Sequence, residues 1–117
     1  MSKSIVLEKS INFALRIVKL YQYLSEEKKE FVLSKQVLIS GTYIAKHAKA
    51  ATQADGREGF SRDMNIALQR ASETEFWLLL LHEGKYLESN EYTSINTDCI
   101  ELIKMLTRIV ITSKENV

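Results

Sequence analysis

Side chains that do chemistry on their own are few in this chain: one cysteine, Cys99, and two histidines, His47 and His82. A structural zinc site takes four clustered Cys or His ligands, which this set cannot supply. A di-iron bundle needs Glu-x-x-His pairs on facing helices, but the residues three before His47 and His82 are Ile44 and Leu79. No metal site and no cofactor are therefore expected. The phosphate loop GxxxxGK[ST], the nucleophile elbow GxSxG and the HExxH pair do not occur. Glu73 and Glu75 are close enough in sequence to suggest acid–base work. Two residues apart on a helix, however, they point in different directions. One is expected in solvent and the other in an interhelical or intersubunit hydrogen bond. Cys99 falls on an apolar helical seam and reads as a small buried hydrophobe. No enzyme is expected.

Charge offers a second kind of chemistry. The net charge is +1, but it is unevenly spread. Residues 28–53 hold five lysines against Glu30 alone, a net +4, and residues 82–101 hold five carboxylates against Lys85, a net −4. Lys35, Lys46 and Lys49 share one side of a helix, together with Thr42 and Gln53. That side suits phosphates or an acidic partner. The near-neutral total argues against it, as does the lack of aromatic residues interleaved with the lysines. An ordinary solvated face is the alternative.

These residues must be positioned by helices. Proline, which breaks helix interiors, is absent, and of the four glycines Gly56, Gly59 and Gly84 fall at expected helix boundaries. Helix 1 is expected over 4–25, with Ser4 as cap and Leu7, Ile11, Ala14, Val18 and Tyr21 as its seam, flanked by Phe13, Ile17, Leu20 and Leu24. Helix 2 is expected from Lys29 to Gln53 on Leu33, Val37, Gly41, Ile44, Ala48 and Ala51. The small residues around Gly41 imply close helix packing. A loop over 54–59 leads to helix 3, Phe60 to Glu83, ended by Gly84. A polar connection over 85–93 precedes helix 4, capped by Thr93 or Ser94, with Ile95, Cys99, Leu102, Leu106 and Ile109 inward.

Four such helices with short loops make an all-α, antiparallel up-down-up-down four-helix bundle, one domain over residues 1–117. Hydrophobic content of 45% and charged content of 26% are those of a globular chain. The longest apolar run, Phe76–Leu81, is far short of the roughly 20 residues a membrane span needs. Glu8 and Lys9 interrupt any secretory h-region. With no disulfide available either, the cytoplasm is the expected location. Phe76–Leu81 is also apolar all round, where a bundle helix needs only one stripe. Phe76, Trp77 and Leu80 are therefore expected at an interface with another subunit.

Two stretches carry a family likeness, and the opening Phe13-Ala-Leu-Arg-Ile-Val-Lys-Leu-Tyr21 is in character with them. Leu33-Ser-Lys-Gln-Val-Leu-Ile-Ser-Gly-Thr42 resembles LSxQLxRSGTS, and Ala67-Leu-Gln-Arg-Ala-Ser-Glu-Thr-Glu-Phe-Trp-Leu78 resembles ALxEAxETxYWL. Both belong to the bacterial four-helix-bundle proteins first noticed as reading frames within intervening sequences of large-subunit ribosomal RNA genes. The resemblance spans about Ile11 to Leu81 and implies a ring-like homopentamer. It also implies kinship with the accessory variability determinant of diversity-generating retroelements, a basic pentameric barrel that binds nucleic acid and a reverse transcriptase. The expected partners are thus further copies of the chain, RNA or DNA, and a reverse transcriptase. After Thr42 the family pattern SIGANIAEA gives way to Tyr43-Ile-Ala-Lys-His-Ala-Lys-Ala-Ala51, with His47 for Asn and Ala50 for Glu. Arg70 replaces a further Glu. Every one of these charge changes is toward positive, and they add Arg70 to Lys35, Lys46 and Lys49 as expected polyanion contacts.

Overall fold

The computed structural model describes residues 3–115. They form four helices: α1 (Lys3–Glu26), α2 (Leu33–Thr52), α3 (Gly56–Glu83) and α4 (Ser89–Glu115). Each helix packs on its neighbours in sequence and α4 closes back onto α1, while among the described residues no diagonal pair brings its backbones close together. The result is the antiparallel bundle expected, a rod of 46 × 22 × 20 Å. Its length matches α3, whose 28 residues span about 42 Å at 1.5 Å per residue.

The core runs the full rod and draws on all four helices. In α2, Val37, Gly41, Ile44, Ala48 and Ala51 are buried, and in α3, Met64, Ala67, Ala71, Leu78 and Leu81. On α1 the buried stripe differs from the one expected. Val6, Phe13, Ile17, Leu20 and Leu24 enter the core, while Ile11, Leu15 and Val18 are 44%, 58% and 36% exposed. Both stripes have helical spacing. The flanking one carries the larger side chains, removes more apolar area from water, and so wins the interior. On α4, Val110 takes the inward position expected of Ile109, which is half-buried.

Helix α2 approaches α1 closely at Gly41. A Cβ there would lie 2.7 Å from Ile17 Cγ1 and 2.9 Å from its Cγ2. On its other flank α2 is tied to α3 by a buried hydrogen bond of 2.9 Å between the Ser40 and Thr74 hydroxyls.

The helix ends moved from their expected places for local reasons. Lys29 adopts a left-handed φ of 54°, and the Glu30 N–H donates to the Leu24 carbonyl, so the chain turns there and α2 waits until Leu33. The Glu30 carboxylate then caps α2. It accepts from the N–H groups of Val32 (3.1 Å), Leu33 (2.8 Å) and Ser34 (2.7 Å), and the Ser34 hydroxyl donates back to the Glu30 carbonyl at 2.8 Å. Three donors left orphaned by helix geometry are satisfied by one side chain. Helix α3 begins at Gly56, inside the expected loop, after a turn of three residues. Helix α1 is described from Lys3, and the Ser4 side chain expected as its cap lies outside the described residues.

At the α3–α4 corner the left-handed residue is Lys85 (φ 71°) and not Gly84 (φ −80°). The Tyr86 N–H donates to the Leu81 carbonyl at 2.8 Å and that of Lys85 to His82 at 3.0 Å, which is the Schellman pattern. Helix α4 starts at Ser89, five residues earlier than expected. The Glu91 side chain accepts from the Glu88 N–H at 3.1 Å, half of a capping box. Farther along, the His82 ring stacks on Tyr92 at 4.4 Å.

Two stability measurements follow. Glu30→Ala is expected to lower unfolding free energy by about 1–2 kcal/mol at pH 7. Burial alone raises the Glu30 pKa, but the hydrogen bonds from Leu33, Ser34 and Val32 outweigh it and hold it below its ordinary 4.5. A depressed carboxyl pKa stabilises the fold above the unfolded value and loses that effect as pH falls through the folded one. Urea melts should therefore show the wild-type advantage over Glu30→Ala in full near pH 7 and shrinking below about pH 4.5. Gly41→Ala should cost about 1–2 kcal/mol despite alanine's better helix propensity, because overpacking against Ile17 outweighs it. In an Ile17→Ala background the same change should cost less. An equal cost in both backgrounds would show that Ile17 is not the obstacle.

Candidate nucleic-acid interface

With Gly41 turned to α1 and Ser40 to α3, the rest of α2's circumference faces outward. Lys35, Lys46 and Lys49 lie on it, all exposed, and among the described residues none of them makes an ion pair. Lys46 Nζ sits 4.3 Å from the centre of the Tyr43 ring, and Arg70 Cζ, reaching over from α3, lies 4.9 Å from the same ring. Tyr43 thus joins two of the expected basic residues across the α2–α3 seam by cation–π contact. Lys35 stands apart, eleven residues before Lys46, or about 16 Å along the axis. Lys49 follows one turn after Lys46.

The tyrosine corrects the expectation that no aromatic is interleaved with the basic residues. Its spacing of three from Lys46 carried the signal, but the contact with Arg70 depends on how two helices pair. His47 was likewise missed as part of this group. Its ring meets Tyr43 edge-on, 6.1 Å between centres. Burial pushes its pKa below the ordinary 6.5, Lys46 and Arg70 push the same way, and Asp63 of α3 opposes them. Arg70 also holds Glu73 at 3.2 Å. Glu73 is thus the solvent-facing member of the Glu73–Glu75 pair, and among the described residues Glu75 makes no interhelical hydrogen bond.

The acidic excess of α4 is handled differently. Asp98 is bound by Arg16 at 2.7 Å and Glu101 by Lys9 at 3.3 Å, both across the α1–α4 seam. The negative segment is thus partly neutralised within the bundle, and the positive one is not.

Toward the other end of the α2–α3 seam the surface turns apolar. Ile39 is 42% exposed, Phe76 51% and Leu79 42%. Trp77 and Leu80 are half-buried. Trp77 packs on the core and takes Phe76 edge-on at 5.2 Å. Of the residues expected at an interface, Phe76 is the one most available. On α1 the Ile11, Leu15 and Val18 stripe presents a second apolar surface.

The remaining reactive side chains are occupied structurally. His82 Nε2 lies 3.3 Å from Ser89 Oγ, but its Nδ1 donates no hydrogen bond to the exposed Glu83 carboxylate, 3.5 Å away. A base whose second nitrogen is held by no hydrogen bond is poorly set to activate that serine. Cys99 is buried with its Sγ 3.4 Å from the Ala71 carbonyl, and burial, with Glu75 and Asp98 nearby, pushes its pKa to about 12. A thiol so rarely ionised is a poor nucleophile. Among the described residues no three His, Cys, Asp or Glu side chains cluster to hold a metal ion, and no helix is long and apolar enough to cross a membrane.

The chain is similar to known proteins at two levels. A solved structure from Bacteroides thetaiotaomicron, a protein with unknown function from the S23 ribosomal protein family, superimposes with a TM-score of 0.91 at 47% identity, over 94% of this chain and 98% of that one. No curated protein matches. The family model of the 23S rRNA-intervening sequence protein matches residues 2–108, nearly the full length. With the bundle and both sequence stretches in agreement, the chain belongs to the 23S rRNA-intervening sequence protein family.

Proposed function

We propose that the chain is a non-enzymatic, cytoplasmic, oligomeric module that binds RNA or DNA through the outward face of α2. The observation that carries this reading is the set of exposed, unpaired lysines on that face, with Lys46 joined to Arg70 through Tyr43. Lys35, Lys46, Lys49 and Arg70 are the contacts. They reach phosphates and so act with little regard to base sequence. The family's link to ribosomal RNA intervening sequences supports a nucleic-acid-associated role. A reverse transcriptase is the protein partner that the resemblance to retroelement accessory proteins implies.

Assembly belongs to the same reading. Two apolar surfaces lie on different sides of the bundle, one around Phe76, Trp77 and Leu80 and one on α1. Different patches that meet head-to-tail make rings when the rotation closes, and a homopentamer is the state favoured. Repetition around a ring multiplies a modest patch, and both polyanion affinity and its salt dependence grow with the number of phosphates neutralised.

Two outcomes are expected. In a filter-binding titration with mixed-sequence RNA and DNA, the wild type should bind at low salt and lose roughly a hundredfold or more in affinity by 200 mM salt. The combined Lys35→Glu, Lys46→Glu and Lys49→Glu chain should not bind while remaining helical. Wild-type indifference to nucleic acid at low salt would leave a protein-interaction scaffold as the better reading, which the exposed apolar surfaces favour. In sedimentation equilibrium at micromolar concentration the wild type should exceed the 13.4 kDa monomer, and Phe76→Asp should shift it toward the monomer. A wild-type monomer would overturn the assembly.

A further inference from the structure

Lys46, His47 and Arg70 surround Tyr43 from two helices, and of the three only His47 can change its charge near neutral pH. We propose that His47 is the proton-linked member of a phosphodiester seat formed with Lys46 and Arg70, neutral in the free protein and protonated when a phosphate binds. This deepens the nucleic-acid reading above and rests on it.

The argument begins with what surrounds the imidazole. Lys46 comes from its own helix, beside the Tyr43 ring, while Arg70 and Asp63 come from α3. Among the described residues no charged group of α1, the other helix packed on α2, acts on it. The free ring is half-buried, and two cations against one carboxylate oppose a further positive charge. Burial holds the proton away first, and the same two cations that would attract a phosphate add to that effect.

A phosphodiester carries one negative charge. Seated between Lys46 and Arg70, it offsets their repulsion of the imidazolium and adds an attraction. Asp63 already favours the imidazolium. The protonated ring then donates a charge-assisted hydrogen bond to a phosphate oxygen, stronger than a neutral one. Arg70 is free to take part because its partner Glu73 is an exposed surface ion pair, and such pairs are weak enough to exchange. Among the described residues no hydrogen bond occupies the His47 ring nitrogens, so neither has to be released first.

The sign follows from linkage. A group that gains a proton on binding makes affinity rise as pH falls through the interval between its free and bound pKa values. The free value lies below 6.5, so the rise should occur as pH is lowered across neutrality. Each unit by which binding raises that value is worth about tenfold in affinity.

The test uses the full-length wild type and a fluorescein-labelled oligouridylate of 20 nucleotides, whose bases do not titrate between pH 5.5 and 8. Anisotropy titrations at constant low salt should show about tenfold tighter binding at pH 5.5 than at pH 8. His47→Gln should lose most of the pH dependence. His82→Gln, altered at the opposite end of α3, should keep it. Proton NMR of the wild-type His47 ring should show titration below 6.5 in free protein and above it with the RNA bound, a readout that needs no variant. Binding that is equally tight at both pH values, or a pH dependence that survives His47→Gln, would overturn the seat and leave the nucleic-acid reading standing. No binding at any pH would overturn both.

Discussion

The contact between Gly41 and Ile17 sets the rotation of α2, and the outer surface of the protein depends on that rotation. A helix turns by about 100° per residue, so once residue 41 faces α1 and residue 40 faces Thr74 of α3, no freedom is left. The positions left outside are those of Lys35, Ile39, Lys46 and Lys49. Tyr43 then lies on the α3 side, where Arg70 meets it. A methyl group at position 41 would push α2 away from Ile17 and disturb the pairing on both flanks. One missing side chain on the inside thus decides which charges appear on the outside.

Much of this was legible in the residues. The four amphipathic stretches, the short connections and the small-residue run around Gly41 suffice for a bundle in which α2 packs closely on a neighbour. Legibility ended where the deciding contact was between helices. On α1 two apolar stripes of equal periodicity competed, and only packing against the other three helices selected Phe13, Ile17, Leu20 and Leu24 over Ile11 and Val18. The start of α4 was misplaced because Ser89–Thr93 is polar, and polarity alone does not tell a loop from a capped first turn. The Glu91 cap and the His82–Tyr92 stack make it helical. For the site, the spacing of the lysines was readable along one helix. The roles of Tyr43 and His47 were not, since each depends on Arg70 or Asp63 from a helix twenty or so residues farther on.

The two charged segments show how a near-neutral chain acquires a polar surface field. Arg16 and Lys9 on α1 spend their charge on Asp98 and Glu101 of α4, whereas α2 faces α3 with Arg70 and Asp63 and leaves its lysines unmatched. Net charge sums these and hides the difference. What matters for association is the arrangement, because a field is felt locally within about 10 Å at ordinary ionic strength.

That arrangement also makes the four seams unequal. Three bring their helices into close contact. The α1–α4 seam is the least closely packed and is stitched by ion pairs whose side chains are 42% to 51% exposed, and such pairs contribute at most about 1 kcal/mol each and weaken in salt. The bundle is in effect a rolled sheet of helices with one edge hemmed by charge. Local opening follows the weakest contacts, so that edge is where the roll is expected to loosen first.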